Sequence, residues 1–128
     1  MLKEEFEKKW LNTFVPSLTK AQYRQCHVEC YLWHVFSYGL IPKDKVLSGD
    51  SAREAYDKVD KEGAITLHLW DDANGTQTSI IKEEYKSWEK LDHTPEFYVV
   101  DKDWKWTYMS THENDCMGLG PFFYQKDC

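Results

Sequence analysis

At 128 residues, with 41% hydrophobic and 30% charged side chains, the chain has the size and composition of one folded domain, which excludes a disordered chain, a collagen and a membrane protein. Sixteen Lys and Arg against 22 Asp and Glu give a net charge of −6, and no basic stripe offers the phosphate-neutralising surface that nucleic-acid binding needs. The six Trp, eight Tyr and six Phe predict an aromatic-rich core, because each ring buries a large area.

The segment Met1-Leu2-Lys3-Glu4-Glu5-Phe6 carries acids where a signal peptide needs a basic start and an apolar run. The most apolar stretch, Tyr31 to Ile41, is too short to span a bilayer. Cys26, Cys30, Cys116 and Cys128 therefore read as free thiols of a cytoplasmic protein.

Phe6, Trp10 and Phe14 recur four apart and predict an amphipathic helix over 2–14, stopped before Pro16. A second helix is expected from Thr19 or Lys20 to about Tyr38, ended by Gly39 and Pro42. Its apolar residues surround the axis, so it should lie buried. Ser51 and Glu54 read as a capping box opening a third helix, with Ala52, Ala55, Tyr56 and Val59 on its inner face.

The period then changes to two. Ile65, Leu67 and Leu69 alternate with Thr66, His68 and Trp70, which predicts a strand. Asn74-Gly75 predicts a tight hairpin returning over 76–82, with Leu69 opposite Ile80. A short helix is expected over Glu83 to Leu91, then strands over 96–101 and 104–111 joined at Lys102-Asp103. That turn would place Val99 opposite Trp106 and Phe97 opposite Tyr108. Gly118, Gly120 and Pro121 break the chain before a last strand, Phe122 to Gln125. With no repeat or linker, residues 1–128 form a single α+β domain. Three N-terminal helices pack on one face of a four- to five-stranded, mainly antiparallel sheet with one inserted helix.

Three constellations bear on chemistry. Cys26, His27, Cys30 and His34 share one side of the second helix and have the donor types of a zinc site. One helix seldom surrounds a tetrahedral ion, and buried Cys packs as a small hydrophobe, so packing is favoured and no cofactor is expected. The loop 111–118 brings His112, Glu113, Asp115 and Cys116 together just after a strand, as a Cys–His nucleophile pair or a small hydrolase would need. A polar connecting loop is the plainer account. Asp101-Lys102-Asp103 lacks the glycine and closing glutamate of a calcium loop. No phosphate-binding glycine loop or nucleophile elbow occurs.

The third constellation is a face. The two hairpins turn His68, Trp70, Ile81, Tyr98, Val100 and Met109 away from the expected helices, and interfaces favour Trp, Tyr and Met at their centres. His68, Trp70, Tyr98 and Met109 are thus the candidate binding residues, with another protein or a second copy in a homodimer as the partner.

Tyr31-Leu32-Trp33-His34-Val35-Phe36-Ser37-Tyr38 leading into Gly49-Asp50-Ser51-Ala52-Arg53, together with Phe97 to Tyr108, Thr111-His112-Glu113 and Gly120-Pro121-Phe122-Phe123, resembles a family of small uncharacterised bacterial proteins classed as a domain of unknown function. The resemblance implies no catalytic residues. The Tyr98-Val99-Val100-Asp101-Lys102-Asp103-Trp104 hairpin is also loosely similar to bacterial immunity-type proteins, a fold-level analogy. The expectation is a non-enzymatic protein-binding module, immunity or regulatory, with a small hydrolase or metal-dependent enzyme built on the 111–118 loop as the alternative.

Overall fold

The computed structural model describes residues 1–71, 73, 75–117 and 119–126. Its elements in chain order are helices α1 (Lys3–Phe14), α2 (Lys20–Gln25) and α3 (His34–Ser37), strand β1 (Leu47–Ser48), helix α4 (Asp50–Lys58), strands β2 (Ile65–His68) and β3 (Ser79–Ile80), helix α5 (Trp88–Asp92), and strands β4 (Phe97–Val100), β5 (Trp106–Ser110) and β6 (Phe122–Gln125). Single 3-10 turns cover Lys43–Lys45 and Glu83–Lys86. Among the described residues, six strands form one antiparallel sheet in the order β1-β6-β5-β4-β2-β3. The α+β class is as expected.

The layering differs from the expectation. Helices cover both faces of the sheet. Phe6, Trp10 and Phe14 of α1, with Val28, Leu32 and Phe36, pack on the face carrying Leu67, Tyr98, Val100, Met109 and Phe122. Ala52 and Tyr56 of α4, with Leu91 of α5, pack on the opposite face against Phe97, Val99, Trp106, Tyr108 and Phe123. The chain changes sides at the sheet edge. After α3 it adds β1 beside β6. Gly49, at φ 60°, then turns it and stands at the N-cap of α4. Ser51 is therefore inside the helix rather than its cap.

This two-sided cover corrects the predicted binding face. Tyr98, Val100 and Met109 are fully buried under the N-terminal segment. Ile81 and Phe97 lie on the other side of the sheet, in the second cluster. His68 is half-buried and its ring meets Phe97. Of the four candidate binding residues, Trp70 alone is largely exposed, at 49%.

The second predicted helix is two short ones. α2 stops in a Schellman arrangement, with Val28 N–H bonded to the Tyr23 carbonyl and His27 N–H to that of Arg24. His27 occupies the left-handed position usually given to glycine, at φ 55°. The His34 ring also donates from Nδ1 to the carbonyls of Cys26 (3.1 Å) and His27 (2.9 Å). Continuing helically would forfeit this cap and swing the Trp33 indole away from the buried Glu96 carboxylate, to which it donates at 3.0 Å. The apolar run is buried as expected, but as turns.

Two hairpin registers also move. β4 and β5 pair Val99 with Tyr108 and Val100 with Thr107, two residues from the predicted pairing, because Trp104 at φ 59° lengthens the turn. An offset of two leaves every side chain on its predicted face. β2 pairs Ile65 with Ile80, so the expected two-residue turn is replaced by a long connection. Asn74 of that predicted turn, Gly118 and Cys128 lie outside the described residues. Gly75 has no positive φ, so it does not serve a mirror-image turn. It is needed for space: a Cβ there would lie 2.6 Å from the Asp71 carbonyl oxygen and 2.8 Å from that of Leu69.

Candidate functional site

Antiparallel pairing brings the end of β2, the start of β4 and the end of β5 to one end of the sheet. Three residues just beyond those ends meet there: Trp70, Glu96 and His112. Glu96 was not singled out from the sequence, and it organises the site. Its carboxylate is fully buried, a placement that needs several donors to offset lost hydration. Four are supplied. Oε1 accepts from the His112 backbone N–H (2.9 Å) and ring Nδ1 (2.5 Å). Oε2 accepts from Trp33 Nε1 (3.0 Å) and the Tyr98 hydroxyl (3.3 Å). Glu96 sits at φ 57°, a conformation that a non-glycine residue keeps only when its surroundings enforce it.

The carboxylate fixes His112. Nδ1 donates to it, leaving Nε2 as the nitrogen not engaged by Glu96. The imidazole stacks on Trp70, with centroids 5.2 Å apart, and also meets Tyr31 at 5.3 Å and Trp33 at 5.8 Å. Tyr31 and Trp33 in turn contact His34, and His34 contacts Tyr38 at 5.6 Å. A continuous row of rings thus runs from Trp70 to Tyr38. Both ends are open: Trp70 and Tyr38 are about half exposed. The row's middle is pinned from below by Glu96 and by the His34 bonds to backbone.

Beside this row lies a groove of about 210 Å³ between Trp33, His34, Tyr38 and Glu113, also walled by Ser37 and Leu119. Ser37 and Leu119 separate it from a second groove of about 250 Å³, whose apolar wall is Phe36, Val46 and Phe122 and whose polar wall is Lys43 and Ser48. Met117, 92% exposed, overhangs that second groove.

The four loop candidates do not converge. His112 turns inward to Glu96. Glu113 borders the groove. Asp115 points to the other side of the sheet, where its carboxylate holds Arg53 of α4 at 3.0 and 2.6 Å. That guanidinium, almost buried, also reaches Asp92 and Asp50. The hydrogen bond to Arg53 is the main cause holding the Asp115 carboxyl below its ordinary value. Cys116 is exposed, and no hydrogen bond joins it to His112 among the described residues. A nucleophile–base pair is therefore not assembled.

The helical cluster is likewise dispersed. With α2 ending at Gln25, Cys26 is half-buried, Cys30 is exposed and His34 Nδ1 is committed to carbonyls. Among the described residues, no group of three or more His, Cys, Asp or Glu is placed to hold a metal ion. Cys26, Cys30 and Cys116 are free thiols. Among the described residues no helix is long and apolar enough to cross a membrane.

Sequence reasoning missed Glu96 because a lone glutamate after Pro95 carries no motif. Its one signal was position, directly preceding an all-buried strand. No curated protein and no solved structure matches the chain significantly. The chain belongs to the family described as a domain of unknown function, DUF4275, whose model matches residues 2–123.

Proposed function

We propose that the chain is a non-enzymatic protein-binding module, immunity or regulatory in role, that docks its partner through the ring row from Trp70 to Tyr38. The observation that carries this reading is the row itself. Rings at its two ends stay about half exposed although the fold buries most other aromatics, and a strained, fully buried glutamate holds the centre in place. Protein interfaces concentrate aromatic side chains and depend on rigid anchors. The interaction surface expected from the hairpins is thereby moved from the sheet face to the sheet end, with Trp70 kept.

Site-specific photocrosslinking tests it. A photoreactive phenylalanine at Trp70 or at Tyr38 should trap one and the same protein in extract of the source cells, while the probe at Glu54 on α4 should not. His112→Ala should abolish the Trp70 adduct. Absence of a common adduct from both ends of the row would overturn the reading.

The Glu96–His112 hydrogen bond supports a second reading, in which His112 Nε2 acts as a general base on water. Ester hydrolysis lost in His112→Ala with the fold intact would favour it over docking.

A further inference from the structure

The groove at the Tyr38 end of the row has the features of a cation subsite. Glu113 lends it a half-buried carboxylate. That carboxylate takes part in no hydrogen bond or ion pair among the described residues, whereas the Glu113 backbone is anchored to Thr111 and Cys116. Around it stand the rings of His34 and Tyr38, the latter 53% exposed. A planar cation matches both elements, since a guanidinium stacks on ring faces and bonds a carboxylate through two N–H groups at once.

The neighbouring groove carries a charge of the opposite sign. Phe36, Val46 and Phe122 give it an apolar wall, Ser48 a polar one, and its charged residue is Lys43. Lys43 repels a cation from that end and Glu113 attracts one to the other, so the pair sets the direction of an occupant. Because the two grooves share Ser37 and Leu119 as walls, adjacent same-side residues of an extended segment, about 7 Å apart, can fill both.

Resting on the docking reading above, we propose that this double groove binds an extended segment of the partner that presents an arginine to Glu113 and an apolar side chain, two residues away, to Phe36 and Phe122. The net charge of −6 favours approach of such a basic segment.

The probes are N-acetyl-Leu-Gly-Arg-amide and N-acetyl-Arg-Gly-Leu-amide, titrated into the isotopically labelled full chain and followed by NMR. One of the two should give saturable shifts confined to His34, Tyr38, Glu113, Leu119 and Phe122. Replacing its arginine by glutamine should weaken binding about tenfold, and Glu113→Gln should do the same while leaving the remaining spectrum unchanged. Tyr38→Ser, at an exposed position, should weaken it several-fold with the dispersion of the remaining spectrum retained. Equal binding of the arginine and glutamine peptides, shifts elsewhere on the surface, or no saturation would overturn the arginine assignment. A Tyr38 photoadduct obtained alongside such a failure would leave the docking reading standing. Failure of both would remove it too.

Discussion

The buried Glu96 carboxylate is the point at which fold and site depend on one another, so its removal has a calculable cost. Glu96→Ala leaves four donors without an acceptor: Trp33 Nε1, the Tyr98 hydroxyl, and both N–H groups of His112. The first two are wholly buried and each loses a hydrogen bond to a charged group, about 1.5–3 kcal/mol. The His112 side chain is about one-third exposed and recovers part of its loss from water. The expected destabilisation is about 4–5 kcal/mol, a large fraction of the stability of an ordinary domain. Glu96→Gln should cost less, about 2–3 kcal/mol. Its oxygen can keep Trp33 and Tyr98, and the imidazole can exchange tautomers to accept from its amide, so the His112 backbone N–H is the donor left without an acceptor. Tyr98→Phe removes only one hydroxyl and should cost about 1 kcal/mol. Urea unfolding followed by far-ultraviolet circular dichroism measures all three. For a domain of this length, 3 kcal/mol also lowers Tm by roughly 10 °C. If Glu96→Ala lies within about 1 kcal/mol of wild type, or the order of the three variants is reversed, Glu96 does not organise the site.

Two other expectations follow from geometry. The Asp115 carboxyl is held below its ordinary value by Arg53, so its contribution is complete above about pH 4 and fades as pH falls through the depressed value. Wild type should therefore exceed Asp115→Asn by up to about 1 kcal/mol at neutral pH, and the gap between thermal melts of the two should narrow as pH falls below the ordinary carboxylate value of about 4; a gap that does not narrow on acidification would refute the pairing. Gly75→Ala forces a Cβ to within 3 Å of two backbone carbonyl oxygens, and should destabilise by at least about 1–2 kcal/mol in urea unfolding, whereas a neutral substitution would mean that the long β2–β3 connection gives way locally.

What was legible in the chain was periodicity. The four-residue spacing of Phe6, Trp10 and Phe14 marked α1, alternation marked β2, and β6 fell at Phe122–Gln125 as read. Even where the β4–β5 register was displaced by two, the side chains kept their faces, since a strand's period is two. Periodicity says which residues share a face, but not what covers it. Tyr98, Val100 and Met109 were read as exposed because one layer of helices was assigned to the other side. The missing information was topological. A two-residue edge strand carries almost no pattern of its own, yet β1 is the step by which the chain passes from one face to the other. The capping-box pattern of Ser51 and Glu54 drew the helix start two residues too late, whereas the cap is Gly49, directly after the edge strand.

The site was hidden for a related reason. His112, Trp70 and Glu96 come from three separate strand ends, and only pairing order makes them neighbours. Local reasoning grouped His112 with Glu113, Asp115 and Cys116 because they are adjacent in the chain. A loop turns successive side chains in different directions, and here Thr111 and Asn114 enforce this through hydrogen bonds to the loop's own backbone. His112 is thus sent to Glu96, Glu113 to the groove and Asp115 to Arg53 on the opposite layer. The Asp115–Arg53 pair couples this loop to the fold: freeing Asp115 removes the tie between α4 and the segment that carries both the imidazole and the unpaired carboxylate. A variant such as Asp115→Asn, although Asp115 is not itself a member of the ring row, should then weaken partner binding through the looser His112, a loss measured by the Trp70 crosslink and absent if the loop holds its shape alone.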